Sequence, residues 1–121
     1  MGETILFQCS NGAESPERAT LPFIAATAAA VSGQNAIVVA TIDAVRFGTV
    51  GGCTGVQADG HEPLQQHLET FLSAGGELWL CSACTKPRGI TEDQLVPGAK
   101  IVGAATVVEL VAQGAKSIAF A

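Results

Sequence analysis

Most of the chemistry open to this chain rests on four cysteines and a pair of basic residues. Cys81 and Cys84 stand three positions apart in Leu78-Trp-Leu-Cys-Ser-Ala-Cys-Thr-Lys-Pro-Arg-Gly89, where a short apolar run gives way to a polar turn. Two of the six basic residues, Lys86 and Arg88, follow directly. The thiolate is the nucleophilic form of cysteine, and nearby positive charge stabilises it. The segment points to sulfur chemistry, with Cys81 and Cys84 as candidate reactive groups and Arg88 as their candidate support.

Other chemistries fit less well. A C-x-x-C pair suits thioredoxin-like dithiol exchange, and a helix beginning after Cys81 would present backbone N–H groups to a thiolate. Here, however, the pair follows a third predicted strand rather than an early one, and Pro97-Gly98 is the one remaining candidate for the proline such sites place opposite. Zinc would have Cys9, Cys53, Cys81, Cys84, His61 and His67 to draw on, but structural zinc sites usually join two close pairs and this chain has one. His61 and His67 do not share a helical face and read as solvated surface residues. The loop Ser10–Ser15 precedes a helix start that could hold an anion. It lacks the glycine pattern of a dinucleotide or P-loop site and carries Glu14, so an ordinary cap is expected. Gly51-Gly52-Cys53-Thr54-Gly55 has glycines without a strand-to-helix register. The acids are scattered; Asp43 stands apart because it follows the second strand. No cofactor or metal is expected.

The elements that must position these residues follow from periodicity and punctuation. Thr4 to Cys9 reads as a buried strand, ended by Ser10-Asn11-Gly12. Ser15-Pro16 supplies an N-cap and a first-turn proline for a helix running to about Ser32 and stopped by Gly33. Asn35 to Ile42 is an almost wholly apolar second strand, as in parallel sheets covered on both faces. From Asp43 to Gly60 the pattern weakens, and a helical turn followed by a mobile loop is expected. Pro63 to Leu72 is helical through Leu64, Leu68 and Leu72. Glu77 to Cys81 forms the third strand. Thr91–Leu95 is a capped turn, Lys100–Val102 a short strand, Ala104–Gln113 a helix and Ser117–Phe120 the last strand. This alternation is α/β with a mostly parallel sheet in one domain over residues 1–121. Ligands of such sheets collect at the carboxyl ends of the strands. Cys9, Cys53, Cys81 and Cys84 all fall near that edge, with inert burial the alternative for Cys9 and Cys53.

Composition narrows the partners. A net charge of -5 opposes binding to nucleic acid or to an anionic membrane. The N-terminal apolar stretch is too short for a signal peptide, and no bilayer-spanning run is present. Gly2 invites myristoylation, but Leu6 stands where that motif needs Ser or Thr. A soluble cytoplasmic protein is expected, in which cysteines are rarely bridged. Apolar residues make up 48% of the chain and charged ones 14%, too few for a comfortable monomer surface, so a homo-oligomer is expected.

The cysteine segment, followed by Gly98-Ala-Lys-Ile-Val-Gly103 and Ala115-Lys-Ser-Ile-Ala-Phe120, resembles the DsrE/DsrF-like family, particularly its YchN-like branch. The opening Ile5-Leu-Phe and Asn11-Gly12 fit as well. The resemblance implies a three-layer α/β/α domain with a five-stranded parallel sheet, assembled as trimers or hexamers. It also implies a sulfur relay, in which a cysteine accepts a sulfane sulfur as persulfide from a donor protein and passes it to an acceptor. The accepting cysteine of that family lies eight residues before the glycine of Arg-Gly, which is Cys81 here. Cys84 matches the second cysteine of the branch, and Arg88 the arginine of the motif.

Overall fold

The computed structural model describes residues 2–120. Their elements are β1 (Thr4–Cys9), α1 (Pro16–Val31), β2 (Asn35–Ala40), α2 (Leu64–Ser73), β3 (Glu77–Cys81), α3 (Ser82–Thr85), β4 (Ala99–Val102), α4 (Ala104–Ala112) and β5 (Lys116–Ala119). The five strands form one sheet in the order β4-β3-β2-β1-β5, and every pairing is parallel. The α/β reading holds, with the sheet wholly parallel. The chain steps outward from β1 to β4 and then returns to the other side of β1, so connection direction reverses between β1 and β5.

Side chains alternate across the sheet, and the two faces meet different helices. On one face Phe7, Val38, Leu78 and Leu80 pack with Phe23 of α1 and Leu64, Leu68 and Phe71 of α2. The rings of Phe23 and Phe71 meet edge-on with centroids 6.0 Å apart, a favoured aromatic geometry. On the other face Leu6, Ile37, Val39 and Trp79 lie under Val107 and Leu110 of α4. No residue of α4 is fully buried. β2 lies at the centre of the sheet and is buried from Ala36 to Ala40 on both faces, which accounts for its unbroken apolar run.

Several local expectations need correction. β2 ends at Ala40, and Ile42 begins a 3-10 segment, Ile42–Gly48. Ile42 has φ +54°, a left-handed conformation that a β-branched residue adopts only under strain. The helical turn expected after Asp43 is present as this 3-10 segment, whereas the loop after it is not loose: Ala44, Val45 and Phe47 of the turn and Cys53 and Val56 of the loop are buried in the larger cluster. The glycines allow this packing, since a Cβ on Gly48 would stand 2.6 Å from Leu80 Cδ1. Ser15 makes no side-chain cap to α1; the Glu14 carboxylate accepts the Gly12 N–H instead, at 2.9 and 3.0 Å. His67 is not a solvated residue, for its Nε2 is buried without a hydrogen-bond partner. Thr91 does cap its turn, in a reciprocal box with Gln94.

Candidate functional site at the end of strand β3

Cys81 is the last residue of β3 and the N-cap of α3. Alternation along β3 sends Leu78 and Leu80 into the larger core and places Cys81 on the same face as Trp79, beneath α4. Cys81 is half-buried and lines a cavity of about 190 Å³ with Val39, Thr41, Val102, Val107 and Val108. Cys84 lies within α3, is also half-buried, and packs against the larger core cluster. The two thiols of the C-x-x-C pair are not bridged to each other and face different surroundings.

Arg88 is tied down. Its Nε donates to Asp43 Oδ1 at 3.0 Å and its Nη1 to the Cys84 carbonyl at 3.1 Å. The guanidinium fastens the carboxyl end of α3 to the segment after β2. Asp43 also meets Arg46 at 3.8 Å, so the one acid noted in the sequence does sit at this edge. Gly89 follows Arg88 with φ +69° in the left-handed region, which is the physical reason for glycine after the arginine. Arg88 lines a separate cavity of about 600 Å³ with Arg46, Gly51, Gly52 and Gln94, and is absent from the lining beside Cys81. Lys86 is exposed. The structure thus keeps Cys81, Cys84 and Arg88 in one short segment, with Arg88 braced on the Cys84 carbonyl and Asp43.

Cys9 and Cys53 are buried, at 1% and 2% relative exposure. Desolvation pushes both thiols up to about 12. Cys9 Sγ donates to the Ala19 carbonyl at 3.7 Å and Cys53 Sγ to the Phe47 carbonyl at 3.7 Å. Both therefore remain protonated near neutrality, and the four cysteines divide into two sealed and two accessible. Among the described residues no group of three or more His, Cys, Asp or Glu side chains is placed to hold a metal ion.

The model of the DsrE/DsrF-like family matches residues 3–120. This chain belongs to the DsrE/DsrF-like family. Such proteins are generally linked to sulfur relay. Its fold is similar to that of the ychN protein from E. coli, at 22% identity and TM-score 0.80, covering 98% of this chain and 99% of that one. It is also similar to MTH1491 from Methanobacterium thermoautotrophicum, a protein of unknown function, at 16% identity and TM-score 0.73 with 98% and 99% coverage. At these identities the likeness is one of fold. Among curated proteins none matches this family member. No helix of the described residues is long and apolar enough to cross a membrane.

Sequence reasoning missed the lining of the Cys81 cavity: Val39, Thr41, Val102, Val107 and Val108. A signal was present in Ala104-Ala-Thr-Val-Val-Glu-Leu-Val-Ala112, which is apolar on more of its circumference than one buried stripe needs.

Proposed function

We propose that this protein is a sulfur-relay subunit whose Cys81 accepts a sulfane sulfur as a persulfide and passes it on. The observation that carries this reading is the placement of Cys81: a half-buried thiol at the carboxyl end of a parallel strand, opening onto a cleft, in a chain whose Cys9 and Cys53 are sealed. In the first step the Cys81 thiolate attacks the outer sulfur of a donor persulfide. A new S–S bond forms, the donor S–S bond breaks, and the donor cysteine leaves as thiolate. An acceptor thiolate then attacks the outer sulfur on Cys81 and restores the Cys81 thiolate. Arg88 supports the turn through the Cys84 carbonyl and Asp43. Cys84 takes the resolving role in this reading: its thiolate attacks the inner sulfur of a persulfide that is not passed on, forming a Cys81–Cys84 disulfide and releasing hydrosulfide. Reducing surroundings such as the cytoplasm suit this chemistry.

Incubation with a persulfide donor followed by intact-mass measurement is expected to show an adduct of about 32 Da, one sulfur atom. The adduct should survive in Cys84→Ala and vanish in Cys81→Ala. An adduct that maps to Cys84, or none with several donors, would reject the assignment.

Dithiol exchange between Cys81 and Cys84 is the second reading, favoured because both are half-exposed within one short turn. Mild oxidation linking the two would support it, and peptide mapping that never finds the link would exclude it. We further propose self-association into a trimer or hexamer, since α4 has no buried residue and exposes Val108 and Val111 at 66% and 46%. Light scattering that gives a monomer at micromolar concentration would contradict this.

A further inference from the structure

Among the described residues no charged side chain lines the cavity beside Cys81. Apart from the Thr41 hydroxyl and the thiol itself, its walls are aliphatic side chains and backbone. A second cavity of about 230 Å³ adjoins it, because Val39, Thr41 and Val107 line both. This second space reaches Gln8 and Ser117, at the point between β1 and β5 where connection direction reverses. The polar groups there satisfy each other, Gln8 Nε2 donating to Ser117 Oγ at 2.9 Å. The cations of the cysteine segment are elsewhere: Arg88 is held by Asp43, and neither Arg88 nor Lys86 lines either cavity.

A dry apolar cavity of about 150 Å³ suffices to bind benzene, so the space beside Cys81 fits one ring or a short alkyl chain. An unpaired charge moved into such a space loses hydration with nothing to replace it. We propose that the cleft beneath α4 is a donor-binding site that selects neutral, apolar carriers of sulfane sulfur, such as dialkyl or diaryl trisulfides and longer organic polysulfides, over anionic donors such as thiosulfate. The inference rests on Cys81 being the reactive thiol of the proposed function. The Cys81 thiolate attacks the central sulfur of a trisulfide, one S–S bond of the donor breaks and that outer half leaves as thiolate; a second thiolate from solution then attacks the outer sulfur left on Cys81, departing with it as a disulfide and leaving the persulfide on Cys81.

The test compares two ring-sized disulfide reagents, neutral dithiodipyridine and dianionic dithiobis(nitrobenzoate), on the full chain carrying Cys84→Ser. High salt screens the general repulsion from the net negative charge, and N-acetylcysteinamide gives the intrinsic rate ratio of the reagents. Mass mapping confirms Cys81 as the modified residue. The expected result is a preference for the neutral reagent about tenfold or more above that of the free thiol, as desolvation of an anion requires. Ala104→Lys, at the exposed rim, should bring the ratio back toward the free thiol. Val107→Trp should fill the cleft and slow the neutral reagent most. A ratio equal to that of the free thiol, or one that neither variant changes, would overturn the inference. Clear selectivity without a persulfide from any polysulfide donor would leave the cleft standing and remove the relay. Equal persulfide yields from thiosulfate and a neutral polysulfide would do the reverse.

Discussion

The two faces of this sheet share the same five strands and differ in almost everything else. Beneath α1 and α2, Phe7, Phe23, Phe47 and Phe71 are all at 2% exposure or less, and even the 3-10 segment after β2 is drawn into the cluster. Beneath α4 the strands offer Leu6, Ile37, Val39 and Trp79, while the helix returns half-buried valine and leucine and leaves cavities behind. Strand alternation assigns the cysteines to these environments. Cys9 on β1 turns to the dense face and is silenced, whereas Cys81 on β3 turns to the loose face and stays accessible. Dense packing lies mostly on one side of the sheet and the accessible strand-end thiol on the other.

The sharpest way to break that comparison is to truncate one residue on each face. Phe71→Ala should cost about 3–5 kcal/mol in urea denaturation, the range for a buried phenylalanine. Val107→Ala, under the loose helix, should cost about 1 kcal/mol or less, because existing space already weakens its contacts. Equal losses would mean that α4 is packed as tightly as α1 and α2.

Alkaline titration separates the cysteines next. Cys9 and Cys53 have pKa values raised from 9.0 to about 12 in the fold. The unfolded chain therefore releases these protons first as pH rises. The stability associated with each is complete below about pH 9 and is lost between there and about pH 12, amounting to roughly 1.4 kcal/mol per thiol by pH 10. The urea midpoint should fall over this window, and Cys9→Ala should flatten the fall. Native labelling at neutral pH should reach Cys81 and Cys84 and spare the other two.

The braces at the sheet edge carry smaller effects. Arg88→Met removes a partly buried charge-assisted pair and the bond to the Cys84 carbonyl, at an expected cost of about 1–2 kcal/mol. Its effect on Cys81 labelling should be indirect, a change of rate without a change of reagent preference. Ile42→Gly should stabilise the protein by about 0.5 to 1 kcal/mol, since relief of a left-handed β-branched residue outweighs the added freedom of glycine in the unfolded chain. Ile42 is 52% exposed, so little burial is lost.

What the sequence disclosed follows from how local each signal is. Strands β1, β2 and β3 are continuous apolar runs bounded by turn residues, and their placement and the position of Cys81 at a strand end were legible. The fate of Ile42 was not, because a β-branched residue after Ala-Thr continues a strand pattern and nothing local announces a left-handed turn. Phe47, Cys53 and Val56 looked like residues of a glycine-rich loop. Their burial depends on Gly48 approaching Leu80, a contact across distant sequence. Arg88 stands next to the cysteine turn in sequence, but its partner Asp43 lies 45 positions away, and only the fold decides that its guanidinium is engaged by that carboxylate and the Cys84 carbonyl. His67 read as solvated from its spacing to His61, yet the packing around α2 closes over its Nε2.

The order of the strands leaves β4 and β5 at the two rims of the sheet, each four residues long. Open rims invite strand addition by another chain. Each rim here carries a lysine, Lys100 on β4, which lies over the Trp79 ring at 4.7 Å, and Lys116 on β5, paired with Glu3 at 2.8 Å. A strand docking along either rim would have to displace or desolvate an ammonium group already held in place. Growth of a continuous sheet from copy to copy is thereby discouraged, and the self-association proposed above falls to helix surfaces, where it would close into a finite assembly.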